Sequence, residues 1–182
     1  MTDYKSILEE FGASLTDMAT FMIQELQKEL TDQGHILTGK LRDSIELTDI
    51  NIRNNSQEAF VSLQSYFEIL DQGVRPGRIP FNPGSGRKSS KYIDALIKFW
   101  MLKKGLGQEE ATRAAFALAH KHKREGMPTQ SSWQFSKNGR RMEFFTRTLD
   151  SNKNYDDFEE SLLDSLERLS DVVLDNFKKS LK

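Results

Sequence analysis

The sequence predicts an α+β fold, in which a small, mostly antiparallel sheet is packed by long N- and C-terminal helices. Apolar residues recur at steps of three and four near both ends of the chain, and this spacing is typical of amphipathic helices. Two short segments between them alternate apolar and polar residues, as half-buried strands do. The length of 182 residues fits a single domain, 1–182, with its own hydrophobic core. Two shorter central helices and a long Pro/Gly loop complete the predicted fold.

The first element is a helix over residues 3–32. Its apolar stripe is formed by Leu8, Phe11, Leu15, Met18, Met22, Leu26 and Leu30. Gly34 follows the last apolar position and is suited to end the helix. At roughly 1.5 Å per residue the helix is on the order of 45 Å long. We expect a helix of this length to pack on the other long helix or on a neighbouring subunit.

A hairpin follows, with strands predicted at 44–53 and 58–65. The alternation slips by one between residues 47 and 50, as a β-bulge requires. The segment Asn54-Asn55-Ser56 supplies turn chemistry between the strands. A short helix from Tyr66 to Gln72, ended by Gly73, leads out of the hairpin.

Residues 73–91 are predicted to form an extended loop or arm. The segment holds three of the four prolines, four glycines and five basic residues. We expect no packed element here, because proline and glycine interrupt both helices and strands. Loops of this length are usually functional or disordered.

Beyond the loop, helices are predicted at 92–104 and 108–124. The second has an alanine-rich face, which allows another element to approach closely. Asn138-Gly139 then predicts a second hairpin, with Trp133 and Phe135 on one strand and Met142 and Phe144 on the other. A polar connection at 150–154 leads into the C-terminal helix. The apolar stripe of that helix comprises Phe158, Leu162, Leu166, Leu169, Val173, Phe177 and Leu181.

Charge is segregated along the chain although the net charge is only −1. Residues 1–72 hold 5 Lys/Arg against 13 Asp/Glu, and residues 148–182 hold 5 against 9. Residues 73–147 hold 16 against 5, a balance of +11. A chain with acidic ends and a basic middle can meet a polyanion, or copies of itself, through opposite patches.

Several function classes are disfavoured by the sequence. Cysteine is absent, which removes thiol catalysis, disulfides and cysteine-based metal sites. No apolar run approaches a membrane span, and the acidic N-terminus is unlike a signal peptide. Residues 34–40 match the letters GxxxxGK of a phosphate loop, but Leu41 follows where a hydroxyl would bind magnesium. His120 and His122 lack the spacing of a helical zinc pair. We therefore predict no catalytic, cofactor or metal site and no enzyme activity.

The basic middle is the main functional indication. Its candidate interface or DNA-channel residues are Arg75, Arg78, Arg87, Lys88, Lys121, Lys123, Arg124, Arg140 and Arg141. Phe81, Trp133 and Phe135 lie among them and could stack on bases. The alternatives are contact with acidic surfaces of neighbouring subunits, or a positive wall near DNA without base readout. We favour a protein interface, because no sequence-specific DNA-binding motif is present.

The order of motifs resembles the neck, tail-completion and head–tail joining proteins of tailed bacteriophages. Residues 38–45 are similar to the family segment TGxLRxSI, through Thr38, Gly39, Leu41 and Ser44. Residues 66–73, which end in Gly73, are similar to the segment that precedes a Gly/Pro-rich loop in that family. Further counterparts are residues 79–81 and 126–129. The long loop at 82–91 and the long C-terminal helix depart from the family pattern.

The resemblance implies a virion structural protein. Such proteins form homo-oligomeric rings at the head–tail junction or the top of the tail, contact portal-adaptor, neck or tail proteins, and surround the DNA channel. It further implies assembly in the host cytoplasm, localisation in the virion and no membrane contact. Two alternatives stay open at this point. One is a small phage or host nucleic-acid-binding protein that uses residues 73–147, and the other is a hydrolase that uses His35 or His120.

Overall fold

The computed structural model describes residues 4–53, 56–86 and 90–180, and it has the predicted α+β architecture. Its α-helices are α1 (Tyr4–Asp32), α2 (Lys40–Asp43), α3 (Phe67–Gln72), α4 (Lys91–Lys104), α5 (Gln108–Glu125), α6 (Phe144–Asp150) and α7 (Asn152–Ser180). Its strands are β1 (Glu46–Arg53) and β2 (Ser56–Ser62). Two 3₁₀ segments cover Pro76–Arg78 and Gln130–Phe135.

The chain divides into two compact units. The terminal unit comprises Met1–Leu30, Lys40–Ser65 and Phe144–Lys182, and the central unit comprises Thr31–Gly39 and Tyr66–Glu143. The interpretation of residues 1–182 as one domain stays a prediction, since two compact units can still unfold in one cooperative transition.

The core of the terminal unit forms along one face of α1. Leu26 and Leu30 of α1 are buried together with Leu41, Ile45 and Phe144. The amide of Gln27 links α1 to the next segment, because Nε2 donates to the carbonyl of Arg42 at 3.1 Å. The predicted apolar stripe of the first helix is therefore confirmed over its second half.

The predicted hairpin is present as an antiparallel pair, with Glu46 opposite Ser62 and Arg53 opposite Ser56. The register shifts between Leu47 and Asp49, where the alternation in the sequence slips. Thr48 lies at that shift, and its hydroxyl donates to the carbonyl of Phe60 at 2.9 Å. The bulge is therefore confirmed, whereas the predicted turn at Asn54-Asn55 lies outside the described residues.

The central unit is built on α4 and α5, two helices that are consecutive in the chain and pack against each other. The side chain of Ser90 caps α4 by accepting from the backbone N–H of Ile93 at 3.2 Å. Gly105 ends α4 in the left-handed conformation. Three alanines of α5 are fully buried, Ala111, Ala115 and Ala119. The prediction that this face permits close approach is thus confirmed.

The predicted second hairpin is wrong. Trp133 and Phe135 belong to a 3₁₀ segment, and Phe144 begins α6. Asn138-Gly139 does reverse the chain, since Asn138 Oδ1 accepts from the N–H of Arg140 at 3.1 Å and Gly139 has a φ of 70°. The segment after the turn instead bonds elsewhere in the central unit: the carbonyl of Met142 accepts from the buried Gln33 side chain at 2.9 Å.

The prediction that residues 73–91 contain no packed element is wrong for the first half of the loop. Val74 pairs with Met127 in an isolated β-bridge, and Pro76–Arg78 forms a 3₁₀ turn that contacts α5. Ile79 is only 2% exposed, so an apolar anchor fixes this part of the loop. The prolines and glycines therefore shape a packed turn here instead of an open arm.

The C-terminal helix begins earlier than predicted. α6 ends at Asp150 and α7 starts at Asn152, so the polar connection expected at 150–154 is reduced to the junction between two helices. α7 packs against α6. In the described part of the chain, no helix is long and apolar enough to cross a membrane.

Candidate functional site

The motif that carries the family resemblance forms a compact turn in front of the hairpin. Gly39 is buried and has a φ of 76°, a conformation that favours glycine. Leu41 enters the core with 6% exposure. The hydroxyl of Ser44 donates to the carbonyl of Leu41 at 2.8 Å and closes the turn before β1. Thr38 is exposed at the start of this turn.

Gly73 occupies a position that tolerates no larger residue. Its φ is 70°, and a Cβ atom there would lie 2.5 Å from the carbonyl oxygen of Met127. The neighbouring Val74 exchanges two backbone hydrogen bonds with Met127, at 2.7 and 2.8 Å. Gly73 therefore allows the chain to leave α3 and run directly beside the segment that follows α5.

Four of the predicted basic residues come together at the C-terminal end of α5. Lys123 donates to the carbonyl of Ile79 at 3.2 Å, which holds the 3₁₀ turn against the helix. Arg75 and Arg78 are exposed on or beside that turn. Arg124 is exposed and pairs with Glu125 at 2.7 Å. We call Arg75, Arg78, Lys123 and Arg124 the basic cluster.

The remaining predicted basic residues have different positions. Lys121 and Arg141 line a cleft in the central unit. Arg140 is exposed in the turn that follows the second 3₁₀ segment. Arg87 and Lys88 lie outside the described residues, and their role at an interface or DNA channel stays a prediction.

The cleft encloses about 700 Å³ within the central unit. Side chains from α3, α4, α5 and the second 3₁₀ segment form its wall. The wall is largely apolar, and its large side chains include Ile69, Leu96, Phe99, Trp100, Leu118 and Phe135. Concave apolar surfaces of this size are the usual form of ligand sites and of receptacles for partner side chains. This cleft is the candidate functional site.

Basic residues supply the charge of the cleft. Lys103, Lys104, Lys121 and Arg141 line it, and none of the described residues that line it carries a carboxylate. The ammonium group of Lys103 lies 5.1 Å from the ring centroid of Phe99 and 4.8 Å from that of Phe135. Burial lowers the pKa of Lys103, and the neighbouring charges of Arg141 and Lys104 lower it further.

Arg141 anchors one side of the cleft. It donates to the backbone carbonyls of Gln33 at 2.6 Å and Gly34 at 3.0 Å. Gly34 is required here, since its φ is 70° and a Cβ atom would lie 2.6 Å from the carbonyl oxygen of Phe135. The segment after α1 is therefore fixed against the segment after α5, and the guanidinium charge is fixed in the wall.

Two histidines line the cleft and are neutral at pH 7. Burial lowers the pKa of His35 to about 4, and the charge of Arg141 lowers it further. Burial likewise lowers the pKa of His122 to about 4, with a smaller opposing contribution from Glu125. The positive charge of the cleft at neutral pH therefore comes from lysine and arginine.

The aromatic residues that the sequence suggested for base stacking are used differently. Phe81 packs edge-on against His120, with ring centroids 4.9 Å apart, and against Phe116 at 6.3 Å. This intramolecular packing removes Phe81 as a stacking platform. Phe135 lines the cleft under Lys103, and Trp133 is 42% exposed.

The arrangement suits binding of a molecule, or of a protein segment, that is both apolar and negatively charged. Apolar contacts favour burial of such a partner, and the cations select its charge. In the described part of the chain, no group of three or more His, Asp and Glu side chains could hold a metal ion.

The sequence pattern indicates Lys121 and Arg141 as candidate interface residues but does not indicate the cleft itself. His35 is far in sequence from α4 and α5, and only tertiary packing brings it to their side. The alanine-rich face of α5 and the neighbouring Leu118 were the available signals, because they indicate a closely packed helix pair with one face left over. Periodicity does not show that this face stays open.

A scan against protein-family models, a search of curated proteins and a search of solved structures found no match to this chain.

Proposed function

We propose that this chain is a virion structural protein of a tailed bacteriophage, a subunit of a head–tail joining, neck or tail-completion ring. In this function it connects the portal and capsid side to the tail around the DNA channel. The ordered resemblance at residues 38–45 and 66–73 motivates the proposal. The positions of Gly39, Leu41, Ser44 and Gly73 support it, because each of these residues has a defined role in a turn.

The separation of charge is the observation that supports the proposal most strongly. The central unit presents the basic cluster and the basic cleft, whereas the exposed helix α7 is rich in carboxylates. A subunit with unlike patches can associate head to tail, and such contacts close into a ring when the rotation between copies permits. No reacting group is needed for this function, and the partners are copies of the chain and other particle proteins.

Peptide mass spectrometry of purified particles tests the proposal. The phage that encodes the chain is grown, and its particles are purified by density gradient. We expect peptides of this chain at a constant ratio to the portal protein across the particle band. The replication polymerase of the same phage is the control, since it must be absent from that band. Particles without this chain would refute the proposal.

A second candidate function is binding of nucleic acid, which the basic cluster favours. Arg75 and Arg78 are exposed beside the end of α5, where phosphate groups could reach them. Such binding is largely electrostatic and weakens steeply with salt. A gel shift with duplex DNA at low and moderate salt tests it.

The matched variants for that gel shift are Arg75→Ser/Arg78→Ser and Lys98→Ser/Arg113→Ser. Both remove two exposed cations, but Lys98 lies in the middle of α4 and Arg113 in the first half of α5, away from its C-terminal end. DNA binding through the cluster predicts loss of the shift only for the first pair. No shift of the wild-type chain at low salt excludes this function.

A further inference from the structure

We propose that the cleft of the central unit receives residues 156–167 of α7 from a second copy of this chain. This inference deepens the proposed function, since it rests on association between copies and names the contact that they make. It joins two features of the described structure that are otherwise unexplained, an open apolar cleft with basic residues and an exposed apolar helix with acidic residues.

The cleft sets the first requirement. Its wall exposes Leu96, Phe99 and Leu118 to the open space, and Lys104 and Lys121 stand among them without a carboxylate in the described lining. Lys121 donates to the hydroxyl of Ser131, but filling the site with a neutral apolar chain would leave both lysines without a counter-charge, which is unfavourable when water is displaced. The suitable occupant is apolar on one side and acidic beside it.

The acidic part of α7 has this character. Residues 156–167 contain six Asp or Glu residues and no Lys or Arg. Three leucines of the segment are exposed, Leu162 by 38%, Leu163 by 58% and Leu166 by 44%. Neighbouring leucines left in water at three positions of one helix form an apolar patch, and such patches mark interaction surfaces. Glu160 and Glu167 are exposed one turn before and one turn after Leu163.

Charge favours the cleft, and not helix α1, as the surface of a second copy that α7 contacts. Residues 4–32 of α1 hold two lysines and six acidic residues, so α1 and α7 carry the same sign of charge. Pairing of two α7 helices at residues 156–167 brings like charges together for the same reason. The basic central unit is the region of the chain that carries the opposite sign, and its cleft supplies the apolar surface that the leucines require.

A charge swap tests the contact. The cleft variant is Lys104→Glu/Lys121→Glu, and the helix variant is Glu160→Lys/Glu167→Lys. Each variant alone weakens the electrostatic match, because the cleft variant lowers the formal charge of the cleft from +4 to zero and the helix variant changes that of residues 156–167 from −6 to −2. In an equimolar mixture, the unchanged acidic helix of the cleft variant meets the unchanged basic cleft of the helix variant. This wild-type contact is therefore restored only between unlike copies.

The measurement is sedimentation equilibrium of the full chain over a concentration series, with circular dichroism to show that each variant is folded. We expect the wild type to self-associate, and each variant alone to associate at least about tenfold more weakly than the wild type. The mixture should form pairs of unlike copies through that restored contact, with an affinity close to that of one wild-type contact. Lys91→Glu/Lys98→Glu is the control, since it makes the same charge change on α4 outside the cleft and should associate as the wild type does.

Three results would overturn the inference: a wild type that is monomeric throughout, variants that associate as the wild type does, or a mixture that stays dissociated. The inference and the proposed function fail separately. If the chain is found in particles but its association does not respond to the charge swap, the proposed ring function stands and this contact is refuted. If its association responds to the swap but the chain is absent from particles, this contact stands and the proposed ring function is refuted.

Discussion

The hydroxyl of Tyr92 lies 2.6 Å from Nδ1 of His122 and joins the first turn of α4 to the last turn of α5. Burial raises the pKa of Tyr92 to about 12 and lowers the pKa of His122 to about 4. At pH 7 the phenol therefore keeps its proton and the imidazole is neutral, and the hydroxyl donates to Nδ1 when the imidazole proton is on Nε2. The bond fixes His122 in the wall of the cleft.

Replacing Tyr92 by Phe removes this hydrogen bond and leaves a buried ring nitrogen without its hydrogen-bond partner. We expect Tyr92→Phe to lower the free energy of unfolding by about 1–2 kcal/mol, measured by urea denaturation. Tyr66→Phe is the control, because Tyr66 is 41% exposed, and it should change stability little. Equal effects of the two substitutions would contradict the assigned role of the bond.

The two histidines of the cleft make stability depend on pH. Their pKa values are about 4 in the folded chain and 6.5 in the unfolded chain. As the pH falls below 6.5, the unfolded chain binds protons that the folded chain does not, so stability is lost as the pH approaches 4. Allowing for partial solvent screening, we expect a loss of roughly 2 kcal/mol between pH 7 and 5.

Urea denaturation at several pH values measures this loss. His122→Gln and His35→Gln should each flatten the dependence on pH between 7 and 5, whatever their effect on stability at pH 7. An unchanged slope in both variants would show that these imidazoles do not resist protonation in the folded chain.

Gly73 is required by the close passage of the chain beside Met127. Gly73→Ala forces a Cβ atom to within 2.5 Å of a backbone oxygen, in a conformation that favours glycine. We expect a loss of about 2–4 kcal/mol in thermal or urea denaturation. Gly84→Ala is the matched control, since Gly84 has a φ of 81° but nothing within 4 Å, and its cost should be about 1 kcal/mol. Similar costs at both positions would refute the steric argument.

Close packing around α5 depends on small side chains. Ala115 is fully buried, so Ala115→Leu should overpack the buried face of α5 and cost about 1–3 kcal/mol in unfolding experiments. Ala95→Leu adds the same atoms at an exposed position of α4 and should be close to neutral. If Ala115→Leu is neutral as well, the helices are not as closely packed as described.

Local signals in the sequence predicted much of the fold. The stripe of Leu26 and Leu30, the slip at Thr48 and the end of α4 at Lys104 are encoded within one or two turns of their own element. The second hairpin failed for a tertiary reason. Asn138-Gly139 makes a turn, but the segments on either side pair with Gln33 and with the end of α1 instead of with each other.

The site was harder to predict than the fold. Ile79 anchors the Pro/Gly loop against α5, and a single apolar residue among prolines carries no periodic signal. His35 and Arg141 meet at the cleft although they are 106 positions apart in the chain. Composition identified the central region as basic, whereas the apolar wall between the cations depends on how α3, α4 and α5 pack.

We propose that the chain joins heads to tails by assembling in the particle. Electron microscopy of the particles made by a phage that lacks this gene tests it most directly. The account predicts heads and tails that are complete but separate, and joined particles when the wild-type chain is supplied from a plasmid. Intact, infectious particles in the absence of the chain would contradict it.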